Sequence, residues 1–452
     1  MPVSPQAYRP AAPLLALGPN FWDAVAPAAF PETRLRFRND RAAAEIGLET
    51  LGDDEWIKHF GRFEPMPGTL PQPLALRYHG HQFRSYNPDI GDGRGFTFAQ
   101  AYDRDGRLMD LGTKGSGQTP YSRFGDGRLT LKGGVREILA TEMLAALNVP
   151  TSRTLSLIET GEALDRGDEP SPTRSAVLVR LSHGHIRIGT FQRLAYFREE
   201  ADMRRLVAYV LRHLYGVQGD DPVRLLNLVV ERSATLAARY MAAGFVHGVL
   251  NSDNINITGE SFDYGPWRFA PTWDPGFTAA YFDHQGLYAF GRQPEAIGWD
   301  VSQLASSLRL IADSEPLIAA LDRFGGLFQP ALTEAILWRL GVRPRDDRSD
   351  RDLARATERA LRATQAPLDR FFFDVFGGVL PAGYADGWEE LRGALDGYQR
   401  RTPRDHVVRA GAPCAMMIDE VETIWAAIAE HDDWSMLEGK IAQIRALGEA
   451  LA

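Results

Sequence analysis

The spacing of apolar residues changes near the middle of this 452-residue chain, and that change limits the fold more than any other feature. Before about residue 183 they come in strand-length runs broken by glycine, as in "GRGFTFAQAYD", "RLMDLGTKGSG", "SRTLSLIET" and "SAVLVRLS". One helical stretch, "GGVREILATEMLAALN", interrupts them. After Gly189 the helical period takes over. In "DPVRLLNLVVERSATLAARYMAAG", Leu225, Val229, Leu236 and Tyr240 recur near that period, Asp221 and Pro222 open the helix and Gly244 can stop it. Further helices are expected in "WDVSQLASSLRLIA", "LTEAILWRL", "RDLARATERALRAT" and "VETIWAAIAEHDDWSMLEGKIAQIRALG". The pattern predicts an α+β, two-lobed fold: residues 76–183 as a β-rich lobe with one key helix, and 184–452 as a large helical lobe. Residues 1–75, proline-rich with a short helix near "RAAAEIGL", read as an extension packed on the core. The cleft between two such lobes is a favoured ligand site.

Composition removes several functions. A net charge of −9 and a pI near 5.7 argue against a chain whose main task is to hold a nucleic-acid backbone. With Cys414 alone there is no internal disulfide and no multi-cysteine metal site. No window reaches 18 apolar residues and the first residues carry no basic leader, so neither a membrane span nor a signal peptide is expected, and the expected location is cytoplasmic.

Three polar segments stand out. "IGDGRG", residues 90–95, lets backbone amides approach an anion through Gly91 and Gly93, with Arg94 to supplement them, although a plain hairpin turn fits the same letters. In "DLGTKGSGQTPYSRFGDGR", residues 110–128, Lys114 follows a strand end and precedes Gly115, two arginines and a second turn at Asp126 and Gly127. It is not a Walker sequence; its lysine and arginines suit a polyphosphate, while a solvated loop is the plain alternative. On the inserted helix, Glu137 lies off the Val135, Ile138, Leu139, Met143 and Leu147 stripe and Glu142 falls within it; either could orient that lysine, and periodicity does not choose. Arg180 and Arg187, near the lobe boundary, could grip a terminal phosphate or form rim salt bridges.

The third segment is "HGVLNSDNINITGESFDYGP", residues 247–266, directly after the long helix. Magnesium-like ions prefer oxygen ligands completed by substrate phosphates. Asn254 and Asp263 can supply such a pair if "INITGESF" forms a short hairpin, and Asp253 is then positioned to polarise an incoming hydroxyl. His247 suits a hydrogen bond that steadies the loop. A polar hairpin with Asx turns is the alternative. The histidine pairs of "YHGHQF" and "SHGHIRIG" lack a third zinc ligand, no GxSxG elbow occurs, and Cys414 in "GAPCAMM" suits burial better than nucleophilic use.

Taken together, "YHGHQF", "GDGRG", "KGSGQTPYSRFGDGR", "VREILATEML", "VLVR", "SHGHIRIGTF", "HGVLNSDNINITGESFDYGP" and "DHQGLYAFGRQPEAIGWDVSQLA" resemble the selenoprotein O family of protein adenylyltransferases, in order over roughly residues 35–308. The resemblance implies a protein kinase-like fold and an ATP bound in a flipped orientation, so that AMP passes to serine, threonine or tyrosine hydroxyls of proteins, the chain itself included, and pyrophosphate leaves. It implies Lys114 on phosphate and paired with Glu137, Arg180 and Arg187 on the terminal phosphate, Asp253 as the catalytic acidic residue, and Asn254 and Asp263 as ligands of Mg2+ or Mn2+. This chain departs from the family at Arg84, where glycine is common, and in its C-terminal region, where "RTPRDHVVRAG" is only a faint match and the terminal selenocysteine or cysteine of some relatives is missing. Regulation through a terminal disulfide is not expected. A kinase transferring the γ-phosphate and a silent ATP-binding scaffold are the competing readings.

Overall fold

The computed structural model describes residues 7–167, 169–402 and 412–452. In chain order the first lobe contains β1 (Arg9–Ala11), β2 (Trp22–Ala24), β3 (Arg34–Arg38), helices α1 (Asp40–Glu45) and α2 (Asp53–Phe60), and β4 (Leu74–Leu76). A separate hairpin follows, β5 (Gly80–Gln82) with β6 (Ser85–Asn87). Then come β7 (Thr97–Tyr102), β8 (Leu108–Lys114), β9 (Leu129–Thr130), helix α3 (Leu131–Ala146), β10 (Arg153–Leu164) and β11 (Thr173–Ser182). Except for the hairpin, these strands build one antiparallel sheet in the order β2-β4-β7-β8-β11-β10-β3, with β1 paired to β7 and β9 to β11.

Both faces of this sheet are covered. Along β11, Val177, Val179 and Leu181 point into a core shared with Trp56 and Phe60 of α2, while Ala176 and Leu178 face Val135, Ile138 and Leu139 of α3. Successive side chains of a strand alternate between faces, so Arg180 and, by the same parity from Leu108, Lys114 emerge on the α3 face. The sheet's period thus decides which cations can meet the helix.

The helical lobe runs α4 (Ile188–Tyr196), α5 (Glu200–Leu214), α6 (Pro222–Ala243), α7 (Gln293–Leu308), α8 (Ser314–Leu321), α9 (Arg323–Leu340), α10 (Asp347–Thr364), α11 (Leu368–Val375), α12 (Glu389–Leu395), α13 (Ile418–His431) and α14 (Ser435–Leu451). The signals read for α6 operate as expected: the Asp221 side chain accepts from the Val223 and Arg224 amides, Pro222 takes the first position, and Gly244 ends the helix at φ 69°. The last apolar stretch is two helices, not one, because Asp432 turns left-handed at φ 51°. Its second helix returns to the first lobe, where Arg445 pairs with Glu142 of α3 at 2.8 Å. The two-lobed α+β arrangement expected from the sequence is the one observed. Most of the faint C-terminal match, "RTPRDHVVRAG", lies outside the described residues.

Candidate active site

Lys114 ends β8 and is almost fully buried, with its Nζ 2.6 Å from Glu137 Oε2 on α3. The glutamate ambiguity resolves by geometry. Glu137 is 1% exposed and pairs with the lysine, whereas Glu142 binds Arg445 and accepts from Asn39 Nδ2 at 3.0 Å. Burial lowers the Lys114 ammonium from its usual value and Glu137 opposes that. Arg180 lies 3.7 Å from the second oxygen of Glu137 and donates from Nε to His185 Nε2 at 3.0 Å. The His185 ring occupies the space beside Gly112, the register partner of Arg180, where a Cβ would stand 2.4 Å from the ring.

Arg187 caps the start of α4, where the first lobe passes into the second. Its guanidinium donates to the Asp253 carbonyl at 2.8 Å and pairs with Asp263 Oδ2 at 2.5 Å and Asp92 Oδ1 at 3.2 Å. Arg180 pairs with the other Asp263 oxygen. Asp263 therefore bridges the two arginines, from a left-handed backbone at φ 59°. Burial alone would raise its carboxyl, but Arg180, Arg187 and Lys114 outweigh burial and hold it well below the usual carboxylate range.

The segment after α6 carries the remaining candidates. Asp253 is buried against the hairpin: a Cβ on Gly80 would stand 2.8 Å from the Asp253 Cβ. Asp253 Oδ1 has no hydrogen-bond partner among the described residues, and burial pushes the carboxyl up to about 6 against the pull of Arg187. Asn254 donates from Nδ2 to the Val249 carbonyl at 3.1 Å, an orientation that leaves its Oδ1 for another partner. His247 contacts the Phe262 carbonyl through Nε2 at 3.0 Å, which suits the steadying role read from the sequence. "INITGESF" does not pair with itself as a hairpin. A turn closes from Gly259 N to Asn256 O, and single bridges join Asn256 to Arg187 and Ser261 to Thr151, tying the segment to both lobes.

Lys114, Arg180, Arg187, Asp253, Asn254 and Asp263 line one cleft of about 830 Å³ between the lobes, which also includes Gly91, Gly93, Arg94, Asp126 and Gly127; Glu137 and His247 stand behind its wall. Arg94 is exposed, and its guanidinium has no ion-pair partner among the described residues. The Asp126 carboxylate is taken by Arg166 at 2.9 Å. Gly115 (φ 84°) stands behind the cleft wall, where a Cβ would lie 2.6 Å from the Ala176 carbonyl oxygen, so it serves packing. Arg84 holds a left-handed backbone (φ 62°), the conformation glycine adopts without strain, and is tethered by Glu295 at 3.0 Å and the Trp299 ring. The paired histidines do not converge: His79 meets Tyr86, His81 meets Gln192, and His183 meets two backbone carbonyls. Among the described residues no group of three or more His, Cys, Asp or Glu gathers as a metal cage. By type, Asn254 Oδ1 and the Asp263 carboxylate are oxygen donors of the kind a hard cation prefers, and both Asp263 oxygens are held by Arg180 and Arg187.

The family model "Protein adenylyltransferase SelO" matches residues 4–380. The chain belongs to the SelO family. It is 44% identical to the protein nucleotidyltransferase YdiU of Gloeobacter violaceus, over 97% of this chain and 95% of the relative. It is 42% identical to that of Synechocystis sp., over 97% and 98%, and 39% identical to that of Vibrio cholerae, over 68% and 63%. This SelO protein is thus a protein nucleotidyltransferase, and the family's reaction is AMP transfer. Among the described residues, no helix is long and apolar enough to cross a membrane. Sequence reading missed two carboxylates, one lining the cleft and one buried close enough to act on Asp253. Asp92, inside the glycine turn, accepts from the Leu76 amide and binds Arg187; its burial raises it while Arg187 opposes. Asp300 of α7 is buried with neither oxygen hydrogen-bonded, and burial first and Asp253 second push it far above the usual range. Asp92 had a signal, an aspartate between two glycines; Asp300 had none beyond an acidic residue on an apolar helix.

Proposed function

We propose that the cleft binds ATP with its phosphates innermost and passes AMP to a serine, threonine or tyrosine hydroxyl of a protein. The observation that carries this is the inner end of the cleft, at the passage from β11 to α4. Two buried guanidiniums, Arg180 and Arg187, stand there in place of an apolar slot for a purine. An anion suits that end and an adenine does not. The flipped nucleotide then offers its α-phosphorus toward Asp253. Lys114, held by Glu137, neutralises phosphate charge, and the backbone at Gly91, Gly93 and Gly127, with Arg94, closes over the rest. Asp126 acts indirectly, by fixing the loop through Arg166.

The acceptor oxygen forms a bond to the α-phosphorus while the bond to the bridging oxygen of the β-phosphate breaks. The hydroxyl proton goes to Asp253, whose carboxyl near 6 is ionised at neutral pH yet basic enough to take it. Charge grows on the departing pyrophosphate beside Arg180 and Arg187. A phosphate arriving there competes with Asp263 for both arginines, and the released carboxylate, with Asn254, would hold Mg2+ or Mn2+. When bound, that cation offsets phosphate charge and orients the triphosphate.

In this reading residues 76–183 bind nucleotide, 184–452 supply the catalytic and metal-binding loops, and residues 1–75 are an extension whose strands join the sheet. The reaction is cytoplasmic, and the chain's own hydroxyls are among the acceptors. The test is the mass of protein incubated with ATP and Mg2+ or Mn2+. A gain of about 329 Da is expected for AMP. A gain of about 80 Da would make the protein a kinase, and no gain on any acceptor, itself included, would favour the silent scaffold.

A further inference from the structure

At one end of the cleft the segment carrying Asp253 is fastened to the tip of the β5–β6 hairpin. The Ser252 hydroxyl accepts from the His81 amide at 2.7 Å, and Asn251 Oδ1 accepts from the Phe83 amide at 3.0 Å and from the Tyr288 hydroxyl at 2.8 Å. The register opposes Gln82 to Ser85, so Phe83 and Arg84 are the two turn residues, and both are left-handed, at φ 49° and 62°. Asn-Gly ordinarily makes that turn, and two residues with large side chains hold it under backbone strain. Burial does not account for the Phe83 ring, which is 38% exposed. Its neighbours are Phe282, 5.8 Å away between centroids and 41% exposed, and Tyr288, at 5.0 Å and itself buried. Phe282 in turn meets Tyr281, 81% exposed, at 5.1 Å. Three large aromatic side chains thus form a shelf in water, rimmed by Arg84 and Arg292, which both pair with Glu295. An apolar patch with a polar rim is the anatomy of an interaction surface.

We infer that this shelf docks the acceptor protein by a large apolar side chain a few residues from the hydroxyl that receives AMP; the inference rests on the role proposed above for Asp253. Position selects that occupant. Asn251, which holds the Phe83 amide and the Tyr288 hydroxyl, lines the cleft two residues before Asp253, and Gln82 lines it beside Phe83. A polypeptide that lays a hydroxyl on Asp253 and leaves the cleft past Gln82 and Asn251 meets Phe83 within a few residues, each advancing about 3.3–3.6 Å when extended. A small-molecule hydroxyl would reach Asp253 without touching the shelf. Exposed aromatic rings bind an apolar side chain by removing both from water. The strained turn fixes where that contact falls relative to Asp253, which a freer glycine turn would not. Arg84 and Arg292 are already taken by Glu295, so the shelf selects by apolar surface and not by charge.

The test uses purified full-length protein and fluorescein-labelled nonapeptides of glycine and lysine with one central serine: a parent peptide without phenylalanine, and a set carrying phenylalanine at each other position in turn. Anisotropy without nucleotide reads binding, and mass after incubation with ATP and Mg2+ reads modification. At least one phenylalanine position should bind about tenfold tighter than the parent peptide and be modified about tenfold faster. Phe282→Ser should cut both gains to less than about threefold, with ATP affinity by calorimetry within about twofold of the unsubstituted protein. The inference is overturned if no position gains in binding, if Phe282→Ser keeps the gain, or if the peptides that bind best are modified no faster than the parent peptide. A favoured peptide that gains about 80 Da and not about 329 Da leaves the shelf standing and removes AMP transfer. Binding gains with no modification of any peptide remove both. Should Phe282→Ser fail to fold, Phe83→Gly, a substitution the left-handed turn favours, takes its place in the comparison.

Discussion

Replacing Asp253 by asparagine should stabilise the protein while abolishing its reaction. The carboxyl rises from an ordinary 3.8 to about 6 on folding, chiefly through burial. A shift of about two units corresponds to about 3 kcal/mol. The sign follows from proton binding: the folded state holds this proton more tightly than the unfolded chain, so ionisation works against folding. The penalty is absent below about pH 4, grows between about pH 4 and 6, and is constant above that. Asp253→Asn removes the charge and keeps the shape, so its stability gain should be about 3 kcal/mol at pH 8 and about half that at pH 5. Urea unfolding of both proteins, in chelator and without nucleotide, reads the difference. AMP transfer by the parent should fall about tenfold per pH unit below 6, and the variant should show none at either pH. An asparagine variant less stable than the parent at pH 8, or a gain that ignores pH, would refute the argument that burial sets this carboxyl's proton affinity.

The other expectations concern partners of known geometry. Glu137→Gln leaves the Lys114 ammonium buried beside a neutral amide and should cost about 3 kcal/mol, with at least tenfold slower AMP transfer; thermal unfolding and intact mass measure the two. Glu142→Gln touches the α14 tether and the Asn39 contact, neither at the cleft, and should keep transfer within about twofold while losing about 1 kcal/mol. Arg180→Met should raise KM for ATP at least tenfold with little change in circular dichroism; a collapsed fold with unaltered ATP affinity in the remaining native fraction would remove the phosphate role. Gly91→Ala would drive a Cβ to 2.5 Å from the Tyr121 ring, so that loop should loosen and ATP affinity fall several-fold by calorimetry.

The fold was legible wherever one local rule acted alone. The Asp221, Pro222 and Gly244 signals state the ends of α6 because capping is a matter of a few adjacent backbone groups. The break at Asp432 was not legible, since a left-handed aspartate interrupts a helical pattern without any glycine or proline to announce it. Nor could the sequence show that β1 and β3 join a sheet through strands 93 and 118 residues downstream: Arg9 pairs with Tyr102 and Arg38 with Ser156, and such register depends on packing beyond any local window. The choice between Glu137 and Glu142 failed for a related reason. Helical period told which residue lay beside the apolar stripe, but Glu142 is drawn to Arg445, more than 300 residues downstream, while Glu137 answers to a lysine on a strand.

The charges of the cleft explain why the motifs read strongly as a set and weakly apart. Lys114, Arg180 and Arg187 face Glu137, Asp263 and Asp92, three cations against three carboxylates, all in direct or near-direct ion pairs. Remove one member and its partner is left buried with an unbalanced charge, which costs more than the pair itself contributes. That interdependence ties the turn at residue 92, the strand end at 114, the helix at 137, the lobe passage at 180–187 and the loop at 263 into one electrostatic unit, so each segment carries information only in the presence of the others. The same balance bears on the reaction. A neutral cluster has little surplus positive charge for a triphosphate, with Arg94 and Arg123 the cleft-lining cations that have no ion pair among the described residues. In the proposed reaction a divalent ion bound with the nucleotide would supply the missing charge, and Asp263, if a phosphate took its place on Arg180 and Arg187, would be the carboxylate to hold it.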